Sequence, residues 1–253
     1  MNIKKVISII ILIFYPVSLC LSYDNITVPH NNTSFSKSKK LMEQVYYDNM
    51  FSFYCNCQYS YQITDKSIKA VVDNKSCGYM PRKNQKRGKY IEWEHVVPAW
   101  AFGNTRKCWR EEICTDKYGN KYKGRKCCTK IDKVFKAMEA DMYNLYPAVG
   151  ELNADRKNYK YGIIPGEERK YGACDFEVAD KLVEPKEDIR GDIARTYFYM
   201  EKTYNVPISD KQHKLFEVWD KQDKIDEWEI IRAKRIEKIQ GNRNTFVIKD
   251  DEE

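Results

Sequence analysis

The sequence predicts an α+β fold: one disulfide-stapled domain of mixed helix and strand. Three observations carry that expectation. Apolar residues recur at helical spacing around Leu41, Val45 and Tyr46 and again from Ile131 to Met142, while Tyr90 to Val97 reads as a strand broken at Pro98. Eight cysteines follow an apolar leader, an even count of the kind that exported chains oxidise in pairs. No internal repeat or low-complexity linker divides the 253 residues, a length that can bury one sizeable core.

From the N-terminus, Met1 to Lys5 supplies positive charge and Val6 to Phe14 an apolar run, with small residues at Cys20 and Ser22. Residues 1–22 therefore read as an export signal cut after Ser22. Leu19 is large for the position before a lipidated cysteine, which weighs against a lipoprotein. No later apolar run has spanning length, so the exported chain is expected to be membrane-free, and either periplasmic or secreted. Residues 23–35 are polar, Asn-rich and read as disordered. A helix is expected from Ser36, ending before Tyr54-Cys55-Asn56-Cys57. Residues 58–88 read as loops and short strands that close with the basic run Pro81 to Gly88.

After the Tyr90 to Val97 strand, residues 103–130 form a Gly- and Cys-rich excursion with little periodicity, orderable only if disulfides tie it down. The following helix carries the chain to Asn144, and its apolar positions are mostly core. Gly150 to Arg156 reads as a turn-rich loop. Short strands are expected near Tyr161 to Ile164 and Phe176 to Val178. Helices are expected over Lys186 to Tyr204 and Lys224 to Gln240, the second closed by Gly241 as its C-cap. The folded domain is thus drawn at residues 36–247, with 248–253 as an acidic tail.

Charge is concentrated. Between residues 75 and 174 there are 22 Lys/Arg against 12 Asp/Glu, so the rest of the chain is slightly acidic despite the net +7. A basic middle suits a polyanionic partner, although charge alone is equally met by a soluble basic surface. Within it, Lys83, Lys86, Arg87, Lys123 and Lys126 can neutralise phosphates, with a salt-steep and sequence-blind affinity expected. The mature cysteines are Cys55, Cys57, Cys77, Cys108, Cys114, Cys127, Cys128 and Cys174. Cys55-x-Cys57 and the vicinal Cys127-Cys128 lack the paired spacing of a zinc knuckle, so up to four disulfides are expected, in any of 105 pairings.

One stretch organises these elements: Glu92-Trp93-Glu94-His95-Val96-Val97-Pro98-Ala99-Trp100, holding the only histidine in the middle of the chain. An isolated Glu-His pair in a strand is more often a satisfied buried pair than a site. The context changes that. The stretch, with Gly124-Arg125-Lys126-Cys127-Cys128, Asp141-Met142-Tyr143-Asn144-Leu145, Gly150 to Arg156, Arg190 to Arg195 and Gln240 to Asn244, resembles the bacterial endonuclease I family of periplasmic and secreted nucleases. The similarity runs from about residue 38 to residue 247. Asn56, where the family commonly has Gly, and Thr245, where Pro often stands, depart from the pattern outside the proposed site.

The resemblance implies a ββα-metal (His-Me finger) site: His95 as general base, Glu94 and Asn144 as ligands of one Mg²⁺, and Arg125 holding the cleaved phosphate. It also implies cleavage of DNA, and often RNA, without sequence preference and leaving 5′-phosphates. The residue types suit that chemistry. An imidazole can take a proton from water near neutral pH, and a hard cation takes oxygen ligands while keeping several waters. A monomer is expected. The rival reading is a secreted polyanion-binding module without catalysis, which needs the basic charge and cysteines but not Glu94, His95 and Asn144 together.

Overall fold

A computed structural model describes residues 27–64, 67–166 and 168–249. The segment read as an export signal, residues 23–26 and the acidic Asp250 to Glu253 lie outside the described residues. Among those described, no helix is long and apolar enough to cross a membrane. The architecture is α+β, as the sequence predicts.

The chain enters through α1 (Phe35–Val45), whose N-cap Ser34 accepts from Lys37 N and whose Met42 and Val45 are buried. The hairpin β1 (Tyr59–Thr64) and β2 (Ser67–Val72) follows, paired in antiparallel register from Tyr59↔Val72 to Thr64↔Ser67. Asn56 precedes it at φ 54°, a left-handed position that Gly fits freely and Asn tolerates, which accounts for that departure from the family pattern. The short α2 (Gln85–Gly88) lies in the basic run and leads into β3 (Ile91–His95).

The excursion between β3 and its partner is more ordered than its composition suggests. It contains α3 (Ala99–Gly103), α4 (Lys107–Arg110), the two-residue strands β4 (Cys114–Thr115) and β5 (Lys121–Tyr122), and α5 (Arg125–Ile131). Cys108–Cys128 and Cys114–Cys127 staple it, so sulfur supplies the order that apolar periodicity does not. Cys57–Cys77 and Cys55–Cys174 complete four disulfides, which leaves no cysteine among the described residues for zinc.

The helix expected from Ile131 to Asn144 is interrupted. α5 ends at Ile131, α6 (Lys133–Ala140) is capped by Asp132, and Met142–Asn144 is a 3₁₀ turn. Next comes β6 (Leu145–Val149), buried at every position and antiparallel to β3, with Glu94↔Tyr146 and His95↔Leu145 in register. Directly after it α7 (Gly150–Arg156) replaces the expected loop. Its Gly, Asn and Asp read as turn formers, but Leu152 and Arg156 are buried and Glu151 accepts from Tyr79 Oη at 2.6 Å, Arg82 N at 2.9 Å, Lys83 N at 2.6 Å and Asn84 N. Gly150 is required for packing, since a Cβ there would lie 2.8 Å from both Arg87 O and Glu92 Oε1. β3, β6 and α7 thus form a ββα unit.

A small sheet of β7 (Lys160–Tyr161), β8 (Phe176–Ala179) and β9 (Leu182–Pro185), ordered β7-β9-β8, precedes three helices. These are α8 (Arg190–Tyr204), α9 (Asp210–Gln222) and α10 (Glu227–Gln240), the last closed by Gly241 at φ 90° as predicted. The sequence reading missed α9, whose buried face is only Phe216 and Trp219. From α10, Arg232 stacks 3.8 Å from the Tyr146 ring and donates to the Met142, Tyr143 and Leu145 carbonyls, fixing the turn into β6.

Both domain edges move outward. Residues 27–34 are not disordered as predicted. His30 is buried, with Nε2 2.9 Å from Tyr204 Oη and 3.4 Å from Asp141 Oδ2, so a polar segment is ordered by a polar core cluster. At the other end Val247 and Ile248 are buried, so residue 248 belongs to the domain and not to the tail.

Candidate active site

A cavity of about 580 Å³ runs along β3 and is lined by Glu92, Glu94, His95, Arg87, Arg125, Asn153 and Arg156 among others. His95 closes β3 and is 7% exposed. Its Nε2 lies 2.9 Å from the Glu139 backbone carbonyl at the end of α6. A carbonyl can only accept, so Nε2 carries the proton and Nδ1 is left as the basic nitrogen. Burial, then the Arg125 charge, pushes the imidazole down to about 3, so it is neutral at any physiological pH.

Glu94 precedes it and is 4% exposed. Tyr54 Oη donates to its Oε1 at 3.0 Å, and Arg156 Nη1 stands 3.3 Å from the same oxygen. Burial pushes this carboxyl up to about 7, with Arg156 and Tyr54 pulling against it. Arg156 also donates to the carbonyls of His95, at 3.0 Å, and Val96. One buried guanidinium from α7 therefore fixes both the strand end and its carboxylate.

The structure places Asn144 outside the cavity. It is 0% exposed, its Oδ1 accepts from Val97 N at 2.7 Å, and its Nδ2 donates to Val97 O at 2.9 Å. Both ends of the amide are engaged by backbone, and the side chain does not line the cavity. Asn153 of α7 does line it, and donates Nδ2 to Glu92 Oε2 at 3.1 Å, which turns the amide oxygen away from Glu92. Asn153 and Arg156 stand three apart on α7 and so share a face. That spacing was present in the sequence, but it speaks only once the segment is known to be a helix.

Arg125, the first residue of α5, reaches the cavity with its Nε donating to Glu139 Oε1 at 2.6 Å, while Thr129 Oγ1 donates to Glu139 Oε2 at 3.0 Å. Glu139 thus holds His95 through its carbonyl and Arg125 through its carboxylate. His95, Glu94, Asn153 and three arginines, Arg87, Arg125 and Arg156, thus line one cavity.

Compared with known proteins, residues 31–251 match the Endonuclease I family model. The chain belongs to the endonuclease I family. It is 43% identical over 218 residues to Endonuclease-1 of Buchnera aphidicola subsp. Acyrthosiphon pisum (strain APS), covering 85% of this chain and 81% of the relative. It is 42% identical over 227 residues to an extracellular deoxyribonuclease of Aeromonas hydrophila, covering 88% and 93%. A periplasmic deoxyribonuclease of the same organism is 41% identical over 219 residues, covering 85% and 86%.

This endonuclease I family member is a nuclease, and its basic residues divide into two groups. Arg87 lines the cavity but is tied to Glu92, with Nε 2.8 Å from Oε1. Lys83, Lys86, Lys123 and Lys126 are exposed and do not line it. Glu151 holds the backbone of residues 82–84 against α7, so the basic run is a fixed feature beside the endonuclease I cavity. Hydrogen bonds from Tyr79 and those amides outweigh the effect of burial and keep the Glu151 carboxyl below its ordinary value.

Proposed function

We propose that this nuclease is a periplasmic or secreted, sequence-non-specific endonuclease that acts as a monomer on DNA, with RNA as a second substrate, and uses one Mg²⁺. The observation that carries the reading is the pinned tautomer of His95, a residue that lines one cavity with Glu94 and Asn153. The naming of relatives as extracellular and periplasmic deoxyribonucleases supports the compartment and the substrate.

The donor set fits a hard cation, since a carboxylate and an amide oxygen are the ligand types Mg²⁺ takes beside its waters. Mg²⁺ held by Glu94 and Asn153 would offset charge on the phosphate and on the departing oxygen. His95 Nδ1 takes a proton from a water, whose oxygen bonds to phosphorus as the P–O3′ bond breaks. The product is a 5′-phosphate, and the O3′ oxygen is reprotonated from solvent. Arg125 holds the phosphate oxygens, and Arg156 keeps Glu94 and the His95 backbone in place. The basic run supplies contacts to phosphates and none to base edges, so cut sites should follow no motif.

The test is plasmid cleavage with and without EDTA, in wild type and His95→Ala. Cleavage should stop in EDTA, and His95→Ala should lose about 10²–10⁴ of the rate with DNA binding retained. Near-normal cutting by that variant would remove His95 from the base role. Binding without any cleavage by wild type would favour the non-catalytic module instead.

A further inference from the structure

We propose that the N-terminal part of α1 belongs to the cleavage site, with Lys39 holding the phosphate next to the scissile one and Phe35 serving as the platform that positions it. This rests on the nuclease mechanism above and names a subsite for it. Phe35 and Lys39 stand four apart, on one helix face, and both line the cavity that holds His95 and Arg125. The Phe35 ring lies 4.7 Å from the His95 ring. Lys39 Nζ is 4.9 Å from the Phe35 centroid, and the Arg125 guanidinium carbon is 5.6 Å from it.

A neutral ring thus touches the imidazole and gathers two cations from different helices. Like charges repel, and the negative face of an aromatic ring offsets part of that. The two cations differ in what neutralises them. Arg125 is paired with Glu139, whereas no ion pair engages Lys39 among the described residues. A lysine on the wall of a cavity built for phosphodiesters, without an acidic partner, suits a phosphate oxygen, and a compact ammonium is a good point-charge contact for one.

This part of α1 is held where that contact requires it. Ser38 Oγ donates to Ala140 O at 2.5 Å, one residue after the Glu139 carbonyl that fixes His95. α1 and His95 are therefore anchored to the same end of α6. Before the helix, Asn32 Nδ2 donates to Ser38 Oγ at 2.7 Å, and buried His30 ties the segment to Tyr204. Sequence reasoning passed over Lys39, because it lies outside the basic middle and beside a segment read as disordered.

The experiment compares Lys39→Gln, Lys39→Arg, Phe35→Leu and, as control, Lys40→Gln, a change at the exposed neighbouring position. Two measurements are made: kcat and KM on a duplex oligonucleotide, and equilibrium DNA binding in EDTA across a salt series. Lys39→Gln should raise KM several-fold with kcat nearly kept, and should lower the slope of log K against log salt by about 0.9. Lys39→Arg should restore both, Phe35→Leu should raise KM through a displaced Lys39, and Lys40→Gln should match wild type. An unchanged slope in Lys39→Gln, or an equal loss in Lys40→Gln, would overturn the subsite. So would a fall in kcat at constant KM, which would put Lys39 on the scissile phosphate. If wild type fails to cut the oligonucleotide, the nuclease mechanism fails, yet the salt slope in EDTA still decides whether Lys39 meets a phosphate.

Discussion

Asn144→Ala leaves the Val97 N–H and C=O buried without partners, at a cost of about 1–3 kcal/mol for each group. The expected result is a lowered Tm with the wild-type Mg²⁺ requirement in the protein that stays folded. Asn153→Ala should do the reverse, raising the Mg²⁺ concentration for half-maximal cleavage at least tenfold, since even outer partners of a metal ligand are worth about 10–100-fold. Thermal melts and Mg²⁺ titrations of the two variants separate the roles; a normal Mg²⁺ titration in Asn153→Ala would return the ligand to another residue. Glu94 adds a pH dependence. Its carboxyl titrates near 7 because it is buried, and only the ionised form binds a cation. Mg²⁺ affinity should therefore climb from about pH 6 to about pH 8, with proton release on binding at the lower end. Calorimetry in buffers of different ionisation heat measures this, and an affinity flat across that range would contradict it.

At the scale of elements, the ββα unit holds Glu94, His95 and Asn153, while α5 brings Arg125 to it from the stapled excursion. Cys127 and Cys128 are fully buried in α5, bonded back to Cys114 and Cys108. Loops closed at sequence separations of 20 and 13 residues each gain about 3 kcal/mol from a bridge in the chain-entropy model. Full reduction should therefore free α5 and misplace Arg125, and cleavage should fall sharply and return on reoxidation. Cytosolic thiols would in this way keep an unexported copy silent. Activity assayed beside free-thiol counts decides it, and a fully reduced protein cutting at the oxidised rate would end the argument. The failure expected is at Arg125, because Glu94 and Asn153 sit outside the excursion on paired elements.

Across the whole molecule, buried arginines tie the three C-terminal helices to one another and, through Arg232, to the turn into β6. Arg195 of α8 meets Glu229 of α10 at 2.7 and 2.5 Å and Asp220 of α9 at 2.9 Å. Breaking a buried pair strands the remaining charge, so Arg195→Ala should cost about 3–5 kcal/mol. It should lower Tm markedly while leaving kcat near wild type at temperatures where the protein is folded. A kcat loss in the folded variant would show that the helices do more than brace. Charge follows the same division, since residues 75–174 hold 22 Lys/Arg against 12 Asp/Glu, whereas the three helices together hold 10 against 8.

Local signals in the sequence determined the α+β class, the single domain, the strand that carries His95, the helix C-cap at Gly241 and the oxidised state of the cysteines. Periodicity, capping and cysteine count act between near neighbours or on composition, so they can be read without a fold. The tertiary structure alone decided which cysteines pair, because eight thiols carry no local preference among partners. It also decided that Asn153, and not Asn144, faces the cavity. The two amides are chemically alike, and what separates them is that the Val97 backbone reaches one and not the other. α7 looked like a loop because Gly150, Asn153 and Asp155 weaken a helix locally, and buried contacts of Leu152, Glu151 and Arg156 outweigh that weakness. Residues 27–34 looked disordered for want of apolar residues, yet His30 finds Asp141 and Tyr204, partners more than a hundred residues away that no local pattern could announce.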